Sequence, residues 1–120
     1  MTKKTLPTST LELDATGQSL GRLASKIAIL LRGKDKADYE PRILSNIKIV
    51  VHNLDKIVFK GTKATSTIYY RHSGYPGGLH EKTLEEKWAK NPKEVLRLAV
   101  RGMLPENRQR DRLLRNLVVQ

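Results

Sequence analysis

The residues best suited to chemistry lie in one stretch, Thr67–Leu79, which reads Thr-Ile-Tyr-Tyr-Arg-His-Ser-Gly-Tyr-Pro-Gly-Gly-Leu. It begins like a strand and then breaks into a glycine-rich loop, where the backbone can approach a partner closely. Tyrosine and arginine present flat faces that stack on bases, and arginine also binds phosphate. Strand alternation turns one of two neighbouring tyrosines inward, so we expect Tyr69 to lie in the core. The stretch predicts a nucleic-acid surface formed by Tyr70, Arg71, His72 and Tyr75.

A second pattern, Gly17–Arg22, lies between a predicted strand and a predicted helix, where a phosphate-binding loop would sit. It has three residues between its glycines where the nucleotide loop needs four, and Arg-Leu where that loop needs Lys-Ser or Lys-Thr. The pattern therefore favours a tight turn over a nucleotide site. The N-terminus of the following helix could still accept an RNA phosphate.

Catalytic and metal sites find little support in the residue spacing. The histidines are His52, His72 and His80; they form no i, i+4 pair, and the chain has no cysteine. Asp14, His72 and Ser73 could be assembled into a catalytic set, but a chain of this length contains such sets by chance. We expect no catalytic residue, no metal site and no cofactor.

The strongest signal is charge: 120 residues carry 23 lysines and arginines against 12 acidic residues, a formal net charge of +11. Such a charge costs self-repulsion, which a polyanionic partner, nucleic acid or an anionic membrane, would relieve. No apolar run approaches the roughly 20 residues of a spanning helix, and the first residues lack the apolar core of a signal peptide. We therefore expect no membrane partner, and the absence of cysteine fits the reducing cytoplasm, where we expect the protein.

The basic residues are dispersed over loops and termini, whereas a DNA-binding protein would concentrate them near one recognition element. Dispersed charge suits a protein embedded in folded RNA. If about 6–8 phosphates are neutralised, affinity should fall roughly a thousandfold or more between 50 and 200 mM salt. The basic residues predicted to contact RNA are Lys3, Lys4, Arg22, Lys34, Lys36, Arg42, Lys63, Arg71, Arg101, Arg108, Arg110, Arg112 and Arg115.

Hydrophobic periodicity supplies the elements that must position these side chains. Strands are predicted at 11–15, 47–51, 57–59 and 67–72. Helices are predicted at 20–32, ended by Gly33; from Thr83 to about Lys90; from Pro92 to Gly102; and, as a basic C-terminal helix, over 107–120. This order predicts a three-layer α/β/α domain over 10–120, preceded by a flexible basic arm at 1–9. The predicted core includes Leu23, Ile27, Leu30, Val50 and Val58.

Four blocks also carry a family resemblance. They are Asp14–Ala24, Leu31–Lys36, Tyr69–Leu79 and Ala99–Pro105, the last reading Ala-Val-Arg-Gly-Met-Leu-Pro. These blocks resemble, in order, the L-thirteen family of large-subunit ribosomal proteins, bacterial type. The chain departs from the family pattern at Ser45–Ile47 and at Glu106–Asp111, where we expect a different loop shape and altered RNA contacts.

The resemblance implies a small, mostly parallel four-stranded sheet and a structural protein without enzyme activity. It implies binding to large-subunit ribosomal RNA, a role early in subunit assembly and contacts with neighbouring ribosomal proteins, but no autonomous homo-oligomer. The family's usual RNA-facing positions match Lys34, Lys36, Lys63, Arg71, His72, Gly74, Tyr75, Gly77 and Gly78.

Three alternatives stay open from the sequence. The same basic surface would serve a translational regulator that binds RNA away from the ribosome. A small nucleotide-dependent or nucleolytic enzyme is the more remote alternative. The sequence also leaves open whether the ribosome is that of the cytoplasm or of an organelle.

Overall fold

The computed structural model describes residues 9–37 and 39–120. The predicted arm therefore lies outside the described residues, with Lys3 and Lys4, except for Ser9, which opens the first strand. In chain order the elements are β1 (Ser9–Asp14), α1 (Leu20–Arg32), β2 (Ile47–His52), α2 (Lys63–Ser66), β3 (Ile68–His72), β4 (Leu79–Thr83), α3 (Leu84–Lys90), α4 (Pro92–Met103), α5 (Gln109–Arg115) and β5 (Leu117–Val119).

Strand β2 is the centre of the main sheet, with β1 and β5 parallel to it on either side. Its β-branched sequence predicts this position, because a central strand is buried on both faces. Ile49 and Val51 are fully buried in the core, and Val50, on the opposite face, is 8% exposed. The α/β fold class is confirmed.

The number and pairing of the strands differ from the prediction of one four-stranded sheet. Within the described residues, three parallel strands form one sheet, and β3 and β4 form a separate antiparallel hairpin. The predicted strand at 57–59 is wrong: the Val58 N–H donates to the Gln18 carbonyl at 3.1 Å, and no ladder follows. The Phe59 ring instead meets Trp88 edge to face, with centroids 5.1 Å apart. Val58 is 45% exposed, so its predicted place in the core is also wrong.

The C-terminal segment forms a helix and a strand, where the sequence predicts one basic helix. Helix α5 ends at Arg115, and β5 then pairs with β2. Leu117 and Val119 are buried in the core, which a parallel strand allows because alternate side chains share one face. The Arg97 guanidinium donates to the Leu117 carbonyl at 3.3 Å and ties α4 to this strand.

Helix boundaries follow local chemistry closely. Gly33 ends α1 in the left-handed conformation, with φ 74°. The Thr83 hydroxyl accepts from the Glu86 N–H at the start of α3, as its sequence predicts. Asn91 caps α4 in the same way, with Pro92 as its first residue. Gly102 lies inside α4, one residue before its end, so the predicted stop there is wrong.

Packing of α1 against α4 completes the core beside the sheet. Leu23 and Ile27 of α1 are fully buried, and Leu30 is partly buried against the same cluster. Among the described residues no polar or charged residue is buried. The fold therefore rests on apolar burial, and the charged side chains remain at the surface.

Candidate nucleic-acid interface

The hairpin of β3 and β4 sorts its side chains onto two faces. In antiparallel pairing, directly opposite residues share a face and neighbours alternate. Tyr69 pairs with Lys82 and Arg71 with His80, which places these four side chains on one face, called here the inner face. The outer face carries the remaining six residues of the two strands: Ile68, Tyr70, His72, Leu79, Glu81 and Thr83.

Tyr69 fixes the inner face against the body of the protein. It is partly buried against the core, as predicted, whereas Tyr70 is 63% exposed. The Lys87 ammonium of α3 lies 4.8 Å from the centre of the Tyr69 ring. Burial raises the pKa of the Tyr69 hydroxyl above its ordinary value of 10.0. The inner face is thus held towards α3.

The hairpin tip is a turn that its glycines make possible. The Tyr75 carbonyl accepts from the Gly78 N–H at 2.9 Å, with Pro76 and Gly77 between them. Gly77 has φ 73°, which is the arrangement of a type II turn. A Cβ at Gly78 would collide with the Ser73 side chain and lie 2.9 Å from the Tyr75 carbonyl oxygen. The tip therefore requires glycine at both positions, and it leaves Tyr75 76% exposed.

His72 has a structural partner within this tip. Its Nδ1 accepts a hydrogen bond from the Gly74 N–H at 2.9 Å, and Gly74 has φ 88°. The His72 ring is therefore a hydrogen-bonding partner of the tip backbone, and its predicted RNA contact stays a prediction.

A groove of about 620 Å³ opens between the hairpin and the junction of α3 and α4. Four permanent cations line it: Arg71, Lys82, Lys87 and Lys90. His80 lies among them, Glu81 and Glu94 are the acidic lining residues, and Tyr70 and Leu79 of the outer face also line the groove. A concave surface with this excess of positive charge concentrates the field and attracts polyanions.

None of these groove cations forms an ion pair with another described residue. Across residues 9–37 and 39–120, the ion pairs are Arg42 with Glu40 at 2.9 Å and His52 with Glu12 at 3.8 Å. Neither pair involves the groove. Its positive charge is therefore available to an external partner.

Lys82, Lys87 and Lys90 are the groove residues that sequence reasoning missed. In the sequence they alternate with the glutamates of β4 and α3, which is the pattern of an ordinary solvated surface. Hairpin register and the packing of α3 bring them to Arg71, and both are tertiary features. The signal available in the sequence was the spacing of Lys87 and Lys90, which lie on one side of a helix.

A second group of predicted residues meets at the start of α1. A Cβ at Gly21 would lie 3.6 Å from the Lys63 ammonium of α2, and Arg22 is exposed beside it. Ser19 is the N-cap residue, but its side chain makes no capping hydrogen bond, and the first turn has no acidic residue. No carboxylate of its own first turn therefore compensates the positive end of this helix.

The other predicted RNA-contacting residues are spread over the surface. Lys34 and Lys36 are exposed in the turn after α1, and Arg101 is exposed on α4. Arg42 pairs with Glu40, and its carbonyl accepts from the Gln109 side chain at 3.1 Å. The arginines of the C-terminal segment are exposed at Arg108, Arg112 and Arg115 and partly buried at Arg110. The structure does not bring these groups into the hairpin groove.

Asp14, considered above as a catalytic candidate, forms hydrogen bonds that stabilise the local structure. Its carboxylate accepts from the Thr16 hydroxyl at 2.7 Å, from the Thr16 N–H at 3.0 Å and from the Asn53 amide at 3.1 Å. These bonds hold the pKa of the Asp14 carboxyl at about 2, below its ordinary 3.8. Asn53 lies in the turn after β2 in the left-handed conformation, with φ 56°. Its hydrogen bond to the Asp14 carboxylate joins this turn to the end of β1.

Two other kinds of site are absent from residues 9–37 and 39–120. No three histidine, aspartate or glutamate side chains are grouped closely enough to hold a metal ion. No helix there is long and apolar enough to cross a membrane.

A small α/β fold whose cations are free and line a groove beside a glycine-rich hairpin is typical of proteins that bind polyanions. The family model described as ribosomal protein L13 matches residues 8–119. The chain is 52% identical over 107 residues to large ribosomal subunit protein uL13 of Syntrophus aciditrophicus, covering 89% of this chain and 75% of that protein. The proteins of the same name in Symbiobacterium thermophilum (47% over 107 residues, 89% and 75%) and Chloroflexus aggregans (51% over 105 residues, 88% and 73%) are similar.

The chain belongs to the ribosomal protein L13 family. The resemblance drawn from the sequence blocks is confirmed. Because this is a family of structural proteins, the prediction that the chain is not an enzyme is confirmed as well.

Proposed function

We propose that this protein is a cytoplasmic structural constituent of the large ribosomal subunit that binds and clamps large-subunit ribosomal RNA and supports early subunit assembly. The observation that carries the proposal is the hairpin groove, where Arg71, Lys82, Lys87 and Lys90 line one concavity without an ion pair to Glu81 or Glu94. The names of the relatives, all large ribosomal subunit proteins, support it.

The distribution of the remaining cations favours a clamp that holds several RNA segments rather than a single contact with one segment. Positive side chains lie in the groove, at the first turn of α1 and along α5, which are three separate parts of the surface around one apolar core. A rigid core fixes these groups relative to one another, so phosphates from separate RNA segments can be held together. In this proposal residues 10–120 act as one RNA-binding domain, and residues 1–9 add Lys3 and Lys4 as a basic arm.

The first test is sedimentation of a cell lysate on sucrose gradients at moderate and high salt, with detection of this protein. We expect it to migrate with the large subunit and to resist the salt wash. A substantial pool at the top of the gradient would contradict the structural role and favour the translational regulator.

A charge reversal in the groove gives the matched genetic test. Arg71→Glu should reduce incorporation into the large subunit, while Lys26→Glu, an exposed residue of α1 outside the groove, makes the same change in net charge. Both variants should fold, since both side chains are exposed. Equal incorporation of the two variants would contradict the assignment of RNA binding to the groove.

A further inference from the structure

The lining of the hairpin groove is amphipathic, although phosphate binding alone would need only its cations. Besides the four permanent cations, Tyr70, Leu79 and Glu81 line the groove. Tyr70 is 63% exposed and Leu79 is 53% exposed. A tyrosine ring and an aliphatic side chain add no charge for a phosphate, and a carboxylate repels it. The groove therefore fits a ligand that has a flat, weakly polar part as well as a negative charge.

A nucleotide of unpaired RNA has both parts, a flat base and a phosphate. Aromatic side chains stack on the bases of single strands, whereas a duplex keeps its bases inside the helix. Tyr70 supplies such a ring, and Arg71, the next residue of the same strand, supplies a cation. The groove volume of about 620 Å³ lies within the roughly 300–1,000 Å³ of sites that hold one small molecule. It can therefore admit a nucleotide but not a double helix.

The carboxylate of Glu81 gives the groove a means of selecting one base. Glu81 lies directly opposite Tyr70 in the hairpin, and Cβ atoms of such a pair are about 5 Å apart. A base stacked on Tyr70 therefore brings its edge within reach of the Glu81 carboxylate, which accepts hydrogen bonds. Guanine matches it best, because its N1–H and N2–H groups are adjacent donors that can pair with the two carboxylate oxygens. The pairing edges of adenine, cytosine and uracil do not present two adjacent donor atoms.

We infer that the hairpin groove binds an unpaired nucleotide of large-subunit ribosomal RNA, with guanine as the preferred base. The base stacks on Tyr70 and donates to Glu81, while Arg71 and the groove lysines hold the phosphate. The inference rests on the proposed function and names the kind of RNA that this groove takes. It assigns the base and the phosphate to different side chains, so their contributions can be measured separately.

The stacking contact is tested by filter binding of Tyr70→Ala to full-length large-subunit ribosomal RNA. Affinity should fall about 5- to 100-fold, the range expected for loss of one stacked base. The slope of log affinity against log salt should not change, because no phosphate contact is lost, whereas Arg71→Gln should lower it by about 0.7–0.9. Tyr70→Phe keeps the flat ring and should restore the affinity, which separates stacking from a general disturbance of the hairpin.

The base itself is tested with kethoxal, which modifies N1 and N2 of unpaired guanine. At protein concentrations that saturate the RNA, the parent protein should protect a guanine that is modified in the free RNA. Glu81→Ala should bind RNA but lose this protection. Glu85→Ala makes the same change in net charge at an exposed position outside the groove, and it should protect the guanine as the parent does.

Two results would overturn the inference while RNA binding stands. One is an unchanged affinity of Tyr70→Ala for the RNA. The other is the same set of protected guanines in the parent protein and in Glu81→Ala. Failure of the parent protein to bind large-subunit ribosomal RNA would instead overturn the proposed function, and the nucleotide site with it.

Discussion

The groove gives the sharpest quantitative prediction. Replacing Arg71, Lys82 and Lys90 with glutamine removes three of its four permanent cations but keeps Lys87, which packs over Tyr69. Each phosphate contact contributes about 0.7–0.9 to the slope of log affinity against log salt. Loss of three contacts should lower that slope by about 2–3, because three fewer counterions are released on binding.

The same arithmetic gives the loss of affinity. If the two proteins bind equally at 1 M salt, affinity at 0.1 M should fall about 100- to 500-fold. The assay is filter binding of the purified protein to full-length large-subunit ribosomal RNA of the source organism, over a range of potassium chloride concentrations. Thermal unfolding should be nearly unchanged, since exposed substitutions usually alter the free energy of unfolding by less than about 0.5 kcal/mol.

A control variant distinguishes the effect of the groove cations on RNA binding from the effect of overall net charge. Lys26, Lys56 and Lys93 are exposed and lie outside the groove, and their replacement with glutamine makes the same change in net charge. We expect the control to lose less than one unit of slope. If the control and the groove variant lose equal slope, binding depends on overall charge, and the reasoning from groove geometry is refuted.

Three further predictions concern the fold that supports the site. Gly78→Ala should weaken RNA binding while the protein stays folded, since the added methyl group collides with Ser73 at the hairpin tip; filter binding and circular dichroism measure the two effects. Leu117→Ala should reduce the free energy of unfolding in urea by about 2–5 kcal/mol, because this side chain is fully buried in β5. Asp14→Asn should remove stability that the parent protein has above pH 4 and loses as the pH falls towards 2, because the folded-state pKa is about 2 and the ordinary value is 3.8.

Each of these has a matched comparison. Gly102→Ala, inside α4 with no atom near the added methyl group, should keep RNA binding and raise stability by up to about 1 kcal/mol. Val118→Ala, on the partly buried face of β5, should cost less than Leu117→Ala. For Asp14, parallel loss of stability in both proteins between pH 4 and pH 2 would contradict the assigned role of its hydrogen bonds.

The sequence predicted well what local chemistry determines. Apolar spacing located α1, and capping by Gly33, Thr83 and Asn91 set helix boundaries, because these interactions join residues close in the chain. The β-branched run of β2 identified a central strand for the same reason. Alternation placed Tyr69 inward and Tyr70 outward on β3.

The strand predictions that were wrong depend on pairing between segments that are distant in the sequence. Ile57–Phe59 has strand-like residues but pairs with no strand among the described residues, and the Phe59 ring packs against Trp88 instead. Leu117–Val119 has three strand-forming residues in a segment rich in arginine, and its partner β2 lies more than 60 residues earlier. Strand identity at both places depends on which backbone groups come together, and single-sequence periodicity does not contain that information.

The candidate site was predicted in part for the same reason. Exposed arginine, tyrosine and glycine in the hairpin were visible as residue types, but their division between two faces required the register of Arg71 with His80. Lys82 and Lys90 became groove residues only through the packing of α3 beside the hairpin. Composition thus indicated a polyanion, and tertiary structure indicated where one would bind.

The separation of the apolar core from the surface charge links folding stability to the binding of a polyanion. No charged residue among those described is buried, so apolar burial is the main contribution that offsets the self-repulsion of the surface cations. In the native state the groove holds Arg71 near Lys82 and Lys90, whereas in an unfolded chain the same charges are farther apart. A bound polyanion therefore relieves more repulsion in the native state than in the unfolded state. RNA binding and folding stability are therefore linked through the same groove, so bound RNA should stabilise the parent protein more than the groove variant.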